Sequence, residues 1–394
     1  MRLRSAARCL ALACLALSPL HAAVAQTIKV GMAMDISGPF SANGTDSRTG
    51  YALAMKQLDG KLGGFPVEYI QTDTAGNPDN ARQQVERMLQ RDDIDLFTGP
   101  VASNVALAVG PLLFGKKVPY LSHNTGPSAL SGKGCNAYFF GTAYQNDAYH
   151  EAAGRFATQK EFKKVVLIAP NYPGGKDAVN GFKHFYEKGA TSEIYTKVGQ
   201  IDYAAELAQL RSDKPDAVYF FLPGAMGIGF IKQFVAAGLD KSITLISTGF
   251  SADEDIVQAV GKPMLGIYNT SHWAHDLDVP ANKAFVAAYR KEYGRYPSGY
   301  AAQAYDVIMA MNAAIKQIGG KVDDREALLA ALRKADFESV RGKFVYGNNQ
   351  FPIENFYLRV VDTDASGQVT NKLVSTILKN YQDSYADQCP LKAS

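Results

Sequence analysis

Four short stretches come close to known catalytic or cofactor-binding patterns, and each fails at a position the chemistry requires. His150-Glu151-Ala152-Ala153-Gly154 opens like a zinc-protease helix, but the second histidine that would complete the metal ligand pair is missing. Gly174-Gly175-Lys176-Asp177 lacks both the leading glycine and the Ser/Thr of a phosphate-cradling loop. Gly224-Ala225-Met226-Gly227-Ile228-Gly229 has its glycines in the wrong order for a dinucleotide turn. Gly249-Phe250-Ser251-Ala252-Asp253 follows a nucleophile elbow until its last position, where glycine is required. The histidines beyond the N-terminal leader (His123, His150, His184, His272 and His275) are scattered, so no metal cluster is expected. An exported hydrolase on an α/β scaffold is the enzymatic alternative, and it would need a nucleophile–base pair that the sequence does not offer. The expectation is a chain that binds without transforming, with no cofactor.

The elements that would position any site alternate between strand and helix. Ile28–Ala33 reads as a strand, Asp46–Leu58 as a helix, Val67–Thr72 as a strand and Pro78–Arg91 as a helix with Asn77 as its N-cap. Asp95–Thr98, Asn104–Phe114 and Val118–Ser122 repeat the pattern. A second series runs from helix His150–Gln159 and strand Val165–Ala169 through helix Lys176–Lys188, strand Ser192–Val198 and helix Ala204–Arg211. Strand Ala217–Leu222, helix Met226–Ala237 and strand Ile243–Ser247 complete it. Continuous apolar strands between amphipathic helices indicate parallel sheets buried on both faces.

Two sheets are expected rather than one. The alternation pauses near Gly141–Asn146 and Tyr268–Asp278, where Asn, Thr, Gly and Pro cluster. Helices Ala281–Tyr293 and Tyr300–Ile318 would return the chain to the first lobe. A third crossing is placed near Tyr346–Gln350, with strands Asn355–Val361 and Leu373–Lys379 joining the second. The predicted fold class is α/β, two Rossmann-like lobes with parallel sheets joined by a three-crossing hinge. Lobe one takes residues 26–143 plus 276–347, lobe two 144–275 plus 348–380, and a tail follows over 381–394. Three crossing strands suit hinged closure better than a flexible tether.

Residues 1–25 read as a signal peptide: Arg2, Arg4 and Arg8, an apolar run from Cys9 to Leu20, then Ala23-Val24-Ala25 at the cleavage site. The run is shorter than the roughly 20 residues of a membrane span, and no direct membrane insertion is expected. Losing the leader removes three basic residues and leaves 38 acidic residues exactly balanced. A neutral chain without basic blocks argues against nucleic acid, whose binding depends largely on phosphate neutralisation. Export leaves Cys135 and Cys389 in an oxidising compartment, where one disulfide is expected and two unpaired thiols are the alternative.

The order of several short motifs carries a family resemblance. They are Ile28-Lys29-Val30-Gly31 with Ser37-Gly38-Pro39, Thr98-Gly99-Pro100-Val101-Ala102-Ser103, and Pro119-Tyr120-Leu121-Ser122 with Gly126-Pro127-Ser128-Ala129-Leu130. Ala169-Pro170-Asn171-Tyr172 with Gly175-Lys176-Asp177, Gly249-Phe250-Ser251, Trp273 to Asp278, and Tyr293-Gly294-Arg295-Tyr296-Pro297-Ser298 follow. Over nearly all of the chain beyond the leader, this series resembles the type I periplasmic binding proteins of branched-chain amino acid ABC transporters. The resemblance implies a periplasmic monomer that closes on a small solute and docks on an inner-membrane ABC permease. A sensor subunit handing the same ligand to a membrane receptor would look alike.

The resemblance also implies a site. The ligand carboxylate would sit at Ser103, which is placed to cap the helix beginning at Asn104, where free N–H groups and the helix dipole favour an anion. Asn124 and Thr125 would form the second contact in lobe one, Asn43 another wall, and Tyr300 a ligand-facing aromatic. Tyr172 and the loop around Phe250 would close from lobe two, with Tyr144 and Trp273 near the crossings; Trp273 would either stack on a ring or plug the hinge. The amino-acid binders of this family carry an acid in the loop matching Thr248-Gly249-Phe250, to pair the ligand's ammonium. Here no Asp or Glu occurs from Leu245 to Ala252, and Asp253 is the next acid. A buried ammonium without a counter-charge costs several kcal/mol. The expected ligand is therefore a carboxylate without an amine. An aromatic monocarboxylate is favoured, because the members of the family that this chain resembles around Trp273–Asp278 take aromatic carboxylic acids and an aromatic-lined slot suits planar rings. A branched-chain amino acid or amide is the alternative.

Overall fold

A computed structural model describes residues 26–187 and 190–392; the expected signal peptide lies outside them. In chain order the first series is β1 (Ile28–Met34), α1 (Ser41–Gln57), β2 (Lys61–Leu62), β3 (Phe65–Asp73), α2 (Pro78–Arg87), β4 (Leu96–Thr98), α3 (Ser103–Gly115), β5 (Tyr120–Leu121) and β6 (Phe139–Phe140). The second is α4 (Asn146–Gln159), β7 (Lys164–Pro170), α5 (Pro173–Phe185), β8 (Ala190–Thr196), α6 (Ala204–Asp213), β9 (Ala217–Phe220), α7 (Ala225–Ala236), β10 (Thr244–Thr248), α8 (Gly249–Ala252), α9 (Glu254–Val260) and β11 (Tyr268–Ser271). Helices α10 (Pro280–Tyr293), α11 (Gly299–Gln317) and α12 (Arg325–Lys334) precede the long strands β12 (Glu354–Thr363) and β13 (Val369–Tyr381).

The strands form two sheets, ordered β2-β3-β1-β4-β5-β6 and β13-β12-β11-β10-β9-β7-β8. Each is parallel except at one edge, where β2 in the first and β12–β13 in the second run antiparallel. The apolar strands β7 and β9 lie in the interior of the second sheet, their side chains sealed except at Lys164. That is the burial expected of strands covered on both faces.

The chain passes between the sheets three times: after β6, after β11, and before β12. Between the last two passages, α10–α12 share an apolar core with β1, through Phe285, Tyr289, Ala304 and Leu328 against Ile28 and Val30. Cys135 and Cys389 are joined by a disulfide that ties the C-terminal segment back to the first series.

Asn77 caps α2 as expected, its Oδ1 accepting from the N–H groups of Asp79 and Asn80 at 2.9 and 3.0 Å. Other boundaries moved. Helix α1 begins five residues before the expected Asp46, because its buried face includes Asn43, Gly44, Asp46 and Ser47, polar or small residues that apolar periodicity does not register. Strand β11 lies where only a crossing was expected. Its Asn269, Thr270 and Ser271 look like loop but are buried and bonded, Asn269 to Asn371 and Thr270 to the carbonyl of Tyr149.

Candidate functional site between the lobes

The turn from β4 into α3 sets the first wall. Gly99 has φ +98°, and a Cβ there would stand 1.8 Å from the carbonyl oxygen of Ala33, so only glycine brings the turn this close to β1. The turn is fixed from beneath by Asp35, a buried carboxylate accepting from the N–H of Val101 at 2.7 Å, of Ala102 at 3.1 Å and of Gly76 at 3.1 Å. Ala102 is the N-cap, and Ser103 is the first residue inside the helix rather than its cap. The expected capping role is therefore corrected. The backbone of Ala102 already supplies the cap conformation, so the Ser103 hydroxyl turns away from the helix, to Thr125 Oγ1 and to Nδ2 of Asn146. The N–H groups of Ser103 and Asn104, at the first two helical positions, have no acceptor among the described residues.

Facing this turn is a closed slot. Its walls include Ser103, Asn124, Thr125, Tyr144, Tyr172, Phe250 and Tyr300, so seven of the nine side chains expected from the sequence meet there. In this closed arrangement the cavity volume is only about 20 Å³. The lobes are drawn together over it. Phe40 meets Tyr172 with ring centroids 5.8 Å apart, and Phe250 meets Tyr300 at 6.1 Å. Ser128 donates to Asp177 at 2.7 Å. One apolar cluster runs unbroken from Val105 through Phe40, Tyr144 and Tyr300 to Phe221 and Phe250.

The slot has two kinds of wall. One end is polar: Ser103, Thr125, Asn124 and the Tyr172 hydroxyl. A Cβ added at Gly174 would lie 2.7 Å from the Tyr172 oxygen and 3.0 Å from Ser103 Oγ, so glycine there keeps the space between these two hydroxyls open. Beyond it the slot is lined by rings: Tyr144, Phe221, Phe250 and Tyr300. Among the described residues, no Asp, Glu, Lys or Arg stands on the wall.

Of the acids around the slot, Asp253 and Asp177 are committed elsewhere. Asp253 accepts from the backbone N–H of Gly299 and, at 3.3 Å, from the buried guanidinium of Arg359. Asp177 accepts from Ser128 and from Asn146. Asp255 lies behind Tyr300 and Asn43, and burial together with Asp46 and Asp253 pushes its carboxyl well above the usual range, favouring the neutral form.

Two expected residues are placed differently. Trp273 is fully buried among the helices beside β1, its Nε1 donating to Asn282 at 2.7 Å and its ring 6.3 Å from Phe285. It plugs the hinge and does not reach the slot, because the segment after β11 turns it towards α10. Asn43 is fully buried one helical turn from the wall, against Gly224 and Asp255, and bridges the lobes beside the slot rather than lining it.

Sequence reasoning missed Phe40, Val101, Asn146, His150, Gly174, Phe221 and Pro223 on the wall. Phe40 follows the noted Ser37-Gly38-Pro39, and Phe221 ends a noted apolar run, so their neighbours were the signal. In the sequence, His150 suggests only half of a metal-ligand pair. Its Nδ1 instead meets the hydroxyl of Tyr219, and burial lowers its pKa to about 3, so the ring is neutral.

Comparison with known proteins agrees with this architecture. The sequence profile of the Periplasmic binding protein family matches residues 27–368. Leu/Ile/Val-binding protein homolog 6 of Brucella melitensis is 29% identical over 370 residues, covering 91% of this chain and 93% of that protein. A solute-binding protein of an ABC transporter from R. palustris, solved in complex with benzoate, superposes with a TM-score of 0.88 at 30% identity, covering 93% of this chain and 100% of that one. Another from R. palustris, solved with 4-hydroxybenzoate, gives 0.83 at 27%, covering 90% and 98%. With its two lobes, its three crossings and a slot closed between them, this chain belongs to the periplasmic binding protein family.

Proposed function

We propose that this protein is the periplasmic solute-binding component of an ABC importer, and that its slot takes an aromatic monocarboxylate. The observation that carries the reading is a wall with hydroxyl and amide donors at one end, aromatic rings at the other, and no charged side chain between. A carboxylate accepts hydrogen bonds from Ser103 and Thr125 hydroxyls and from the free N–H groups at the start of α3, where the helix dipole adds to the attraction. Tyr172 closes on it from the opposing lobe. The flat ring then lies among Tyr144, Phe221, Phe250 and Tyr300.

Residues 26–143 with 276–347, and 144–275 with 348–380, act as the two closing bodies. A ligand touching both favours the closed state over the open one, and the closed outer surface is what an inner-membrane permease reads. The relatives solved with benzoate and 4-hydroxybenzoate support the solute class.

The relatives named as Leu/Ile/Val-binding proteins favour a second reading, a branched-chain amino acid in the same slot. It calls for an acidic partner for the α-ammonium, and among the described residues the wall offers none. A thermal-shift and calorimetry screen of benzoates against leucine, isoleucine and valine decides between them. Benzoates that raise the melting temperature, with no response to leucine, support the proposal. Tight leucine binding with no response to any benzoate overturns it.

A further inference from the structure

His150 is fully buried, yet it stands on the wall of the slot. Its ring packs edge-on against Phe221 at 5.0 Å and near Phe250 at 6.2 Å, so no protein acceptor borders it on that side. The partner of Nδ1 is the hydroxyl of Tyr219, itself fully buried, with a proton held firmly by desolvation. That phenol also bonds the Thr248 side chain, so it donates to one of two neighbours, and the imidazole proton sits on Nε2 or on Nδ1 accordingly. With either tautomer Nε2 has no partner among the described residues, and His150 borders the slot. A neutral imidazole nitrogen without a protein partner therefore meets a ring-lined space.

Its position along the slot follows from α4. Asn146 and His150 are four residues apart and share a helix face. Asn146 Nδ2 lies 3.2 Å from Ser103 Oγ, at the polar end. His150 is one turn further on, roughly 5 Å along the helix axis, among Phe221 and Phe250.

Resting on the proposed aromatic carboxylate, we infer that His150 reads an oxygen substituent on the ring, at the end away from the carboxylate, making ring-hydroxylated acids the preferred class. An unsubstituted ring would leave Nε2 buried and unpaired, whereas a phenolic hydroxyl accepts from Nε2–H or donates to a bare Nε2.

The test is calorimetry of the wild-type protein with 4-hydroxybenzoate, benzoate and 4-methylbenzoate, repeated on His150→Phe and on His150→Gln, which keeps an N–H donor. The expected result is a preference for 4-hydroxybenzoate of about tenfold or more in the wild type. It should be retained in His150→Gln and fall to within about twofold in His150→Phe. A wild type that binds all three acids equally, or a preference that survives in His150→Phe, overturns the role of His150 but leaves the proposed function standing. Failure of all three acids with binding of leucine overturns both.

If His150→Phe does not melt cooperatively, nitrogen–proton correlation spectra of the wild-type imidazole decide. An Nε2 resonance that moves with 4-hydroxybenzoate and stays put with 4-methylbenzoate supports the inference; one that responds to neither acid, or equally to both, overturns it.

Discussion

The amide nitrogen of Asn146 lies 3.2 Å from the Ser103 hydroxyl in the first lobe and 2.9 Å from the Asp177 carboxylate in the second, so one side chain ties the two lobes at the edge of the slot. Its oxygen accepts from the N–H of Gly126 at 2.8 Å.

Asn146→Asp keeps the shape of that tie but sets a carboxylate against Asp177 and beside the proposed carboxylate site. Affinity for the carboxylate ligand should fall by tenfold or more, since a lost charge-assisted bond and a like charge each cost about 1–3 kcal/mol. Calorimetry at neutral pH reads the change, and an unchanged affinity would place closure elsewhere.

Arg341 holds the crossings together. It bonds Asp306 at 3.1 Å, Glu354 at 2.9 Å and the carbonyls of Thr142 and Ala143 at 2.7 and 2.5 Å. Arg341→Met leaves two buried carboxyl groups without their cation. Stability should drop by about 3–5 kcal/mol, measured as the shift in urea midpoint. A drop below about 1 kcal/mol would mean that the cluster is not a structural bolt.

Glu354 predicts a pH dependence. Burial outweighs the attraction of Arg341, whose charge is shared with Asp306, and pushes the Glu354 carboxyl from 4.5 up to about 8. The folded protein therefore holds a proton there that the unfolded chain has released. This contribution to stability is complete below pH 4.5 and is lost as pH rises through about 8. Urea midpoints between pH 6 and pH 9 should fall more steeply in the wild type than in Glu354→Gln. Parallel curves would show that the group is ionised throughout.

Trp273 is the only tryptophan in the chain. Because it lies in the helical layer and not on the slot, saturating ligand should leave its emission maximum nearly unchanged. Trp273→Phe should keep ligand affinity while lowering stability by roughly 1–3 kcal/mol, since Asn282 loses its donor. Stacking on the ligand would produce the opposite pair of results.

The Cys135–Cys389 bond closes a loop with a separation of 254 residues. Loops of this length are assigned up to about 5 kcal/mol by chain entropy, with typical measured values of about 2–4 kcal/mol. Reduction should lower the melting temperature without abolishing ligand binding, because the slot lies elsewhere in the chain.

The sequence by itself determined the alternation of elements, the two-sheet plan, and the polar and aromatic residues at the ends of strands and starts of helices. Apolar period and cap residues such as Asn77 are local signals, written within a few positions of one another. It also determined that Leu245–Ala252 carries no acid, the feature behind the proposal of a ligand without an ammonium.

What only the tertiary structure decided is which way side chains point where three crossings converge. Trp273 and Tyr144 both flank crossings, yet one plugs the helices and the other faces the slot. Asn43 and Asn146 are both buried amides near lobe edges, yet Asn43 sits beside the slot and Asn146 on its wall. His150 resembles half of a metal site in the sequence, yet Tyr219, 69 residues away, meets its Nδ1 in the fold. Those choices are settled by contacts between residues far apart in the chain, and spacing along the sequence does not encode them.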